Sequence, residues 1–239
     1  MRIKIKNKPE IKYIAFDADD TLWDNEPFYR ALEHVFNEIM LDKMTPEESS
    51  AELYKTEIEN LPLFGYGAKA YTLSILETAL RLSHDTLSAK DVRKILDAGK
   101  QLTDSPLVLL DNVEEVLRSL AAKYKLILAT KGDLLDQERK LKKSRLEKYF
   151  HHIEIMSDKQ KNDYRKLFHH LNIEAHEFLM IGNSMRSDIF PVIELGGYAI
   201  HIPYHTTWAH EKMEKIDLPE DRFKEMDSLL DIPQKCPWI

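Results

Sequence analysis

The chain has 239 residues, of which 43% are hydrophobic and 31% are charged, and its formal net charge is −7. These values are typical of a soluble globular protein with a sizeable core. They argue against a protein that binds nucleic acid or an anionic membrane surface, and no apolar run is long enough to span a bilayer. Residues 1–6 alternate charged and apolar side chains and offer no signal-peptide core. The single cysteine, Cys236, cannot form an internal disulfide, which predicts a reducing, cytoplasmic location.

A short apolar stretch near the N-terminus ends in three carboxylates. Residues 11–16 predict a buried strand, because an apolar run without clean alternation is typical of the middle of a parallel sheet. Asp17, Asp19 and Asp20 follow it, with Thr21 directly after them. Two carboxylates about 5 Å apart repel by roughly 3 kcal/mol at an effective dielectric of about 20, so they need a cation, a shared proton or strong donors. A divalent metal is the simplest compensation.

Residues 25–104 predict an all-helical insertion, in which apolar residues recur at helical spacing. Thr45 is expected to cap one of these helices, which should stop near Leu61-Pro62. Gly65-Tyr66-Gly67 then interrupts the pattern, and Ser88 opens a further helix. The apolar stripes of this segment are interpreted as helix–helix packing.

From residue 105 the chain returns to alternating helices and strands, and Asp111 or Asn112 is expected to cap the first helix. Repeated strand–helix units imply right-handed crossovers and a parallel sheet with helices on both faces. The prediction is an α/β protein with a doubly wound sheet, formed by residues 1–24 and 105–239. The tail from His210 is polar and interrupted by prolines, and no function is assigned to it. The strands expected after the first are residues 125–129, 153–156, 178–181 and 198–202.

Polar residues follow four of these strands in a fixed order. Residues 17–21 read Asp-x-Asp-x-Thr after the first strand, Thr130 follows the second, Lys159 the third, and residues 182–188 the fourth. In a doubly wound sheet these strand ends meet in one cleft. The arrangement resembles the haloacid dehalogenase-like (HAD) superfamily over almost the whole chain. This resemblance implies a Rossmann-like core, with residues 25–104 standing where the family inserts its first type of cap domain.

The resemblance also implies a role for each site residue. Asp17 would attack phosphorus and form an aspartyl-phosphate, while Asp19 would protonate the leaving oxygen and then activate water. The implied ligands of Mg²⁺ are the Asp17 carboxylate, the main-chain carbonyl of Asp19, Asn183 and Asp188. The implied phosphate-binding residues are Thr130, Lys131 and Lys159.

Some positions leave alternatives open. Asn183 stands where the family more often has an aspartate, which predicts weaker Mg²⁺ binding. Lys161 competes with Lys159 for the third motif, and Lys159 is preferred because it directly follows the loop after the short strand. Three histidines lack the spacing of a zinc site and are expected in loops, namely His201, His205 and His210.

The sequence therefore predicts a Mg²⁺-dependent phosphatase acting on a small phosphorylated metabolite. The alternatives are a non-catalytic interaction protein that retains the fold, a phosphomutase and a dehalogenase. Asp19 argues against the dehalogenase, in which the second aspartate is replaced. Neither the substrate nor the oligomeric state follows from the sequence. Candidate substrate-contacting residues, by location alone, are Trp23, Glu26, Tyr66, Lys69 and Arg186.

Overall fold

The computed structural model describes residues 10–206, 208–211 and 217–239. Residues 1–6, for which no signal-peptide core is predicted, lie outside the described residues. Within the described ranges, the strands are β1 (Tyr13–Phe16), β2 (Lys125–Lys131), β3 (His152–Met156), β4 (Phe178–Gly182), β5 (Tyr198–His201) and β6 (Phe223–Glu225). They form one sheet in the order β3-β2-β1-β4-β5-β6, and all neighbours are parallel. The predicted doubly wound parallel sheet is confirmed.

Helices connect the strands and cover both faces of the sheet. Alternate residues of β1 enter different cores, because Ile14 packs with helical residues 113–121 and the C-terminal tail, whereas Ala15 packs with helical residues 161–171 and 190–195. Burial on both faces explains why this strand shows no alternation of apolar and polar residues. The described helices are α1 (Glu26–Met40), α2 (Pro46–Phe64), α3 (Ala68–Leu82), α4 (Ala89–Thr103), α5 (Val113–Ala121), α6 (Leu134–Ser144), α7 (Lys161–Leu171), α8 (Phe190–Leu195) and α9 (Ile232–Lys235).

Helices α1 to α4 follow β1 directly and have an apolar core of their own. Leu32 and Phe36 of α1 pack there with Ile75 of α3 and Ile95 of α4. Each of these side chains is at most 2% exposed. The apolar stripes of this segment therefore serve helix–helix packing, as predicted. None of the described helices combines the length and the apolarity needed to cross a bilayer.

The ends of α2 show one correct and one wrong prediction. Thr45 caps the helix: Glu48 N donates to Thr45 Oγ1 at 3.3 Å, and Thr45 N donates to Glu48 Oε2 at 2.9 Å. The predicted stop near Leu61-Pro62 is wrong, because α2 continues to Phe64. Proline removes only its own N–H from the ladder, and the chain leaves the helix where Gly65 adopts a φ of 68°.

Two further corrections concern the later part of the chain. Asn112 occupies the N-cap position of α5, but its side chain makes no capping hydrogen bond because its backbone is left-handed, with a φ of 63°. The polar tail contributes β6, which pairs with β5, and it buries Ile232 and Trp238 against the sheet. Strand β6 has only three residues, too short a stretch for periodicity to indicate.

Candidate active site

Asp17 and Asp188 converge on one buried lysine. Asp17 directly follows β1, and its N–H donates to Ile181 O of β4 at 2.9 Å, which fixes its position at the sheet edge. Lys159 Nζ donates to Asp17 Oδ1 and, at 2.7 Å, to Asp188 Oδ1. The lysine is 1% exposed and Asp17 is 7% exposed. Lys161, the alternative for the third motif, instead pairs with Glu194 at 3.5 Å.

The charges of this group depend on one another. Burial raises the pKa of Asp17 to about 7; the Lys159 ammonium opposes this rise and the Asp188 carboxylate adds to it. Burial also lowers the pKa of Lys159, but Asp17 and Asp188 outweigh burial and hold that pKa above its ordinary value. Lys159 therefore stays charged near neutral pH. A second positive charge beside Asp17 would favour its ionised form.

Thr21 connects the first and fourth motifs. Its hydroxyl lies 3.0 Å from Asp17 Oδ2, to which it donates, and 3.3 Å from Asn183 Oδ1. Oxygen atoms of Asp17, Asn183 and Asp188 thus surround one small region. No group of three His, Cys, Asp or Glu side chains in the described ranges forms a metal site. The oxygen atoms brought together here are those of two carboxylates, Asp17 and Asp188, and of the Asn183 amide.

The loop after β4 holds Asp188 in place. Ser184 N donates to Asp188 Oδ2 at 3.0 Å, and Ser184 Oγ accepts from Ser187 N at 3.0 Å, which opens a π-helical turn over Met185–Ile189. A Cβ atom on Gly182 would lie 2.2 Å from Asp188 Oδ2. Any larger residue at position 182 would therefore displace the carboxylate.

Asp19 is held by three donors that the sequence analysis did not identify as partners. Its carboxylate accepts from Trp23 Nε1 at 2.7 Å, Gln137 Nε2 at 2.8 Å and Lys140 Nζ at 2.9 Å. Gln137 and Lys140 stand three residues apart on α6, so one face of this helix meets the loop after β1. Asp20 has a structural role, because its carboxylate accepts from the N–H groups of Asn25 and Glu26 at the start of α1.

Thr130 and Lys131 lie inside β2, which extends beyond the predicted end at residue 129. Lys131 Nζ donates to Ser187 Oγ at 2.8 Å and pairs with Glu211, whose carboxylate also accepts from Ser184 and Ser187. Burial opposes ionisation of Glu211, but Lys131 and the serine hydroxyls outweigh it and lower its pKa to about 2. Glu211 was missed because it comes from the polar tail.

A cavity of about 460 Å³ connects these strand ends to helices α1 to α3. Of the candidate substrate contacts, Glu26 and Tyr66 line it. The other three candidates, all of them described by the structure, do not line this cavity, namely Trp23, Lys69 and Arg186. Trp23 bonds Asp19, the Lys69 ammonium pairs with Asp133 at 2.7 Å, and Arg186 donates to His210 O at 3.1 Å.

The three histidines lie in different surroundings. His201 ends β5, so its predicted loop position is wrong; its Nε2 lies 3.0 Å from the main-chain oxygen of Asn183. The His210 ring packs 4.8 Å from Trp208, where burial lowers its pKa. His205 packs on Tyr204.

Known proteins are similar to this chain in sequence and in fold. The sequence model of the haloacid dehalogenase-like hydrolases matches residues 11–194. A haloacid dehalogenase-like family hydrolase from Xanthomonas campestris is 35% identical, with a TM-score of 0.85 over 95% of this chain and 91% of its own. No curated protein matches the sequence. The chain belongs to the haloacid dehalogenase-like hydrolases.

More distant structures share the fold alone. A putative HAD-hydrolase from Bacillus subtilis bound to magnesium is 17% identical, with a TM-score of 0.64 over 93% of this chain and 97% of its own. A 2-haloacid dehalogenase from Pseudomonas syringae pv. Tomato DC3000 is 19% identical, with a TM-score of 0.63 over 94% and 97%. The fold alone therefore does not determine the reaction.

Proposed function

We propose that the protein is a Mg²⁺-dependent phosphohydrolase that cleaves the phosphate monoester of a small metabolite in the cytoplasm. The observation that carries this proposal is the buried Lys159, whose ammonium joins the carboxylates of Asp17 and Asp188 beside the second acid, Asp19. A nucleophilic carboxylate, an acid and a buried cation within one cleft are the groups that phosphoryl transfer requires. The sequence contains a single cysteine, Cys236, which agrees with a reducing compartment.

In this mechanism Asp17 is the nucleophile, and Asp19 is the general acid and base. An oxygen of Asp17 attacks phosphorus, and the bond to the ester oxygen breaks as Asp19 gives that oxygen a proton. Asp19 then takes a proton from a water molecule that attacks the phosphorus of the aspartyl-phosphate, which releases inorganic phosphate and restores Asp17. Trp23, Gln137 and Lys140 hold Asp19 in its place during both steps.

The phosphoryl oxygens are bound by groups at the neighbouring strand ends. Thr130, which is buried at the base of the cavity, and Lys159 face them, and Lys131 adds a second positive charge nearby. These groups stabilise negative charge on the transferring group without reorganisation, because each is fixed by burial or by an ion pair. The same charges would hold the substrate before reaction.

The oxygen set around Asp17 fits Mg²⁺. The Asp17 and Asp188 carboxylates converge, and the Thr21 hydroxyl ties Asp17 to Asn183. Together with the Asp19 main-chain carbonyl these residues offer oxygen ligands only, which is the set that Mg²⁺ prefers. The ion, when bound, supplies positive charge to the phosphoryl oxygens.

We further propose that residues 25–104 act as a cap over this site, on a core formed by residues 1–24 and 105–239. Two contacts and one close backbone approach of the turn between α2 and α3 support this role. The Tyr66 hydroxyl donates to Asp158 Oδ1 at 3.2 Å, and the Tyr66 ring lies 4.3 Å from Lys131 Nζ. A Cβ on Gly67 would lie 3.2 Å from Asp133 Cβ. Such a cap excludes water from the reaction.

A generic aryl phosphate tests the proposed function. Purified protein with Mg²⁺ is expected to release the aryl alcohol, and Asp17→Asn is expected to lower the rate by at least about 1,000-fold, since it removes the nucleophile. Asp42→Asn, at an exposed position in the turn after α1, is the comparison variant and should lose far less activity. Absence of turnover, or turnover that survives Asp17→Asn, would contradict the proposal. Release of halide from a 2-haloacid would instead indicate a dehalogenase.

A further inference from the structure

The cavity wall formed by α1 and α2 is acidic, unlike the phosphoryl site with its lysines. Glu26, Arg30 and Glu33 of α1 and Glu57 of α2 line this wall. The Arg30 guanidinium pairs with Glu26 at 2.9 Å and with Glu33 at 2.7 Å. The one arginine therefore pairs with two of the three acids. This wall would repel a second anionic group on the substrate.

Glu57 is the acid that has no ion-pair partner of its own. In the described part of the chain no lysine or arginine forms an ion pair with it, and the more distant charge of Arg30 and the Trp208 side chain only partly oppose the rise of its pKa. Burial and the nearby Glu33 carboxylate raise the pKa of Glu57 to about 8. A cation bound against Glu57 would relieve both effects by favouring its ionised form.

Aromatic rings also line this cavity. Five aromatic side chains line it, and two pairs of them are in contact. The rings of Tyr29 and Tyr71 lie 5.1 Å apart, and those of Tyr66 and Trp208 lie 6.1 Å apart. Aromatic faces attract organic cations, most strongly where water is excluded. The fifth aromatic residue is Tyr54.

Gln137 provides independent evidence that a ligand in this cavity donates a hydrogen bond. The side chain is 4% exposed and lines the cavity beside Asp19. Its Nε2 atom donates to Asp19 and to Lys131 O, but its Oε1 atom has no partner among the described residues. A buried acceptor without a donor is costly, so a donor from the ligand would stabilise it.

We propose that the leaving group of the substrate carries a protonated amine, so that the substrates are phosphate monoesters of amino alcohols, amino sugars included. The inference rests on the proposed function, because the phosphoryl group at Asp17 sets which part of the substrate faces the acidic wall. The ammonium group lies against Glu57 and the aromatic rings. Gln137 Oε1 accepts a hydrogen bond from the same leaving group.

A matched set of esters tests this inference. Aminoalkyl phosphates of increasing chain length are each compared with the alkyl phosphate in which a methyl group replaces the ammonium group. We expect the wild-type enzyme to show a kcat/KM at least about tenfold higher for the amino ester at the best length, and Glu57→Gln to remove most of this preference. Glu59→Gln, an exposed glutamate on the same helix, should keep it.

The affinity for each ester can be measured without turnover. The same ester pairs are titrated calorimetrically into the Asp17→Asn protein with Mg²⁺, and the amino ester should bind at least about tenfold more tightly. Equal affinities within each pair would overturn the inference, as would a preference that survives Glu57→Gln. If the aryl phosphate is hydrolysed without any preference for amino esters, only the inference fails. If no ester is hydrolysed but the amino ester still binds preferentially, the proposed function fails, and of the inference only the preference of the cavity for an ammonium group stands.

Discussion

Asn183 gives the proposed metal site one negative charge fewer than an aspartate at the same position would. Its amide oxygen lies 3.3 Å from the Thr21 hydroxyl that also bonds Asp17, so a carboxylate at this position would face the same region. We predict that Asn183→Asp lowers the Mg²⁺ concentration needed for half-maximal activity by roughly tenfold, through the added negative charge. Titration of Mg²⁺ against hydrolysis of an aryl phosphate measures this.

The control for that titration is Asn162→Asp, the same substitution at an exposed position on α7. It should leave the Mg²⁺ dependence unchanged. An apparent Mg²⁺ affinity that is the same in Asn183→Asp and wild type would mean that Asn183 does not contribute to the metal site.

Glu57 gives a prediction about stability and pH. Its pKa rises from 4.5 in the unfolded chain to about 8 in the folded protein, because burial disfavours the charge. The folded state therefore holds this proton more tightly, and stability falls as pH rises from about 4.5 to about 8. We expect Glu57→Gln to be more stable than wild type by about 2 kcal/mol above this window, after allowance for partial exposure, and the advantage to vanish below it.

Chemical denaturation at several pH values measures this difference. The exposed Glu59→Gln, on the same helix, should show a small difference at every pH. A stability difference between Glu57→Gln and wild type that does not change with pH would show that Glu57 is not held in its neutral form.

The residues that sequence analysis could identify are those whose neighbours along the chain define them. Asp17, Asp19 and Lys159 follow apolar strands, and this pattern can be recognised locally. Gln137 and Glu211 could not be identified, because their roles depend on contacts with residues 118 positions away for Gln137 and 80 for Glu211. Only the folded chain brings such residues together.

Among the secondary-structure elements, those of the polar tail show how much a short element contributes to stability. Strand β6 adds only three residues to the sheet, but the chain around it buries Trp238, whose ring lies 5.0 Å from Tyr198 of β5. We predict that Trp238→Ala lowers the free energy of unfolding by about 3 to 5 kcal/mol, since it leaves a large cavity in the core. Denaturation with urea measures this loss.

Leu230 provides the comparison, because it lies in the same tail but is 36% exposed. Leu230→Ala should cost clearly less than Trp238→Ala. Equal and small losses in both variants would mean that the tail does not contribute to the core. Helix α2 also departs from its local signal, because Pro62 favours a stop but the helix continues to Phe64 and ends at Gly65, whose φ is 68°.

For the whole molecule, the parallel sheet and its family could be predicted because their motifs recur at the strand ends in a fixed order. The distribution of charge within the cavity could not be predicted, since its acidic wall and its lysines come from different parts of the chain. Lys131 and Lys159 line the cavity where the phosphoryl group is proposed to bind, and Glu33 and Glu57 line it on α1 and α2. The fold thus holds opposite charges apart within one space, and a substrate of matching polarity would be bound in one orientation.

The central claim is that Asp17 forms a covalent bond to phosphorus. Mass spectrometry of the protein, quenched with acid during turnover of a phosphate ester with Mg²⁺, tests it most directly. We predict one added phosphoryl group on the peptide that contains Asp17, and no such adduct in Asp17→Asn. Hydrolysis without this adduct, or an alkyl adduct formed from a 2-haloacid in its place, would contradict the account.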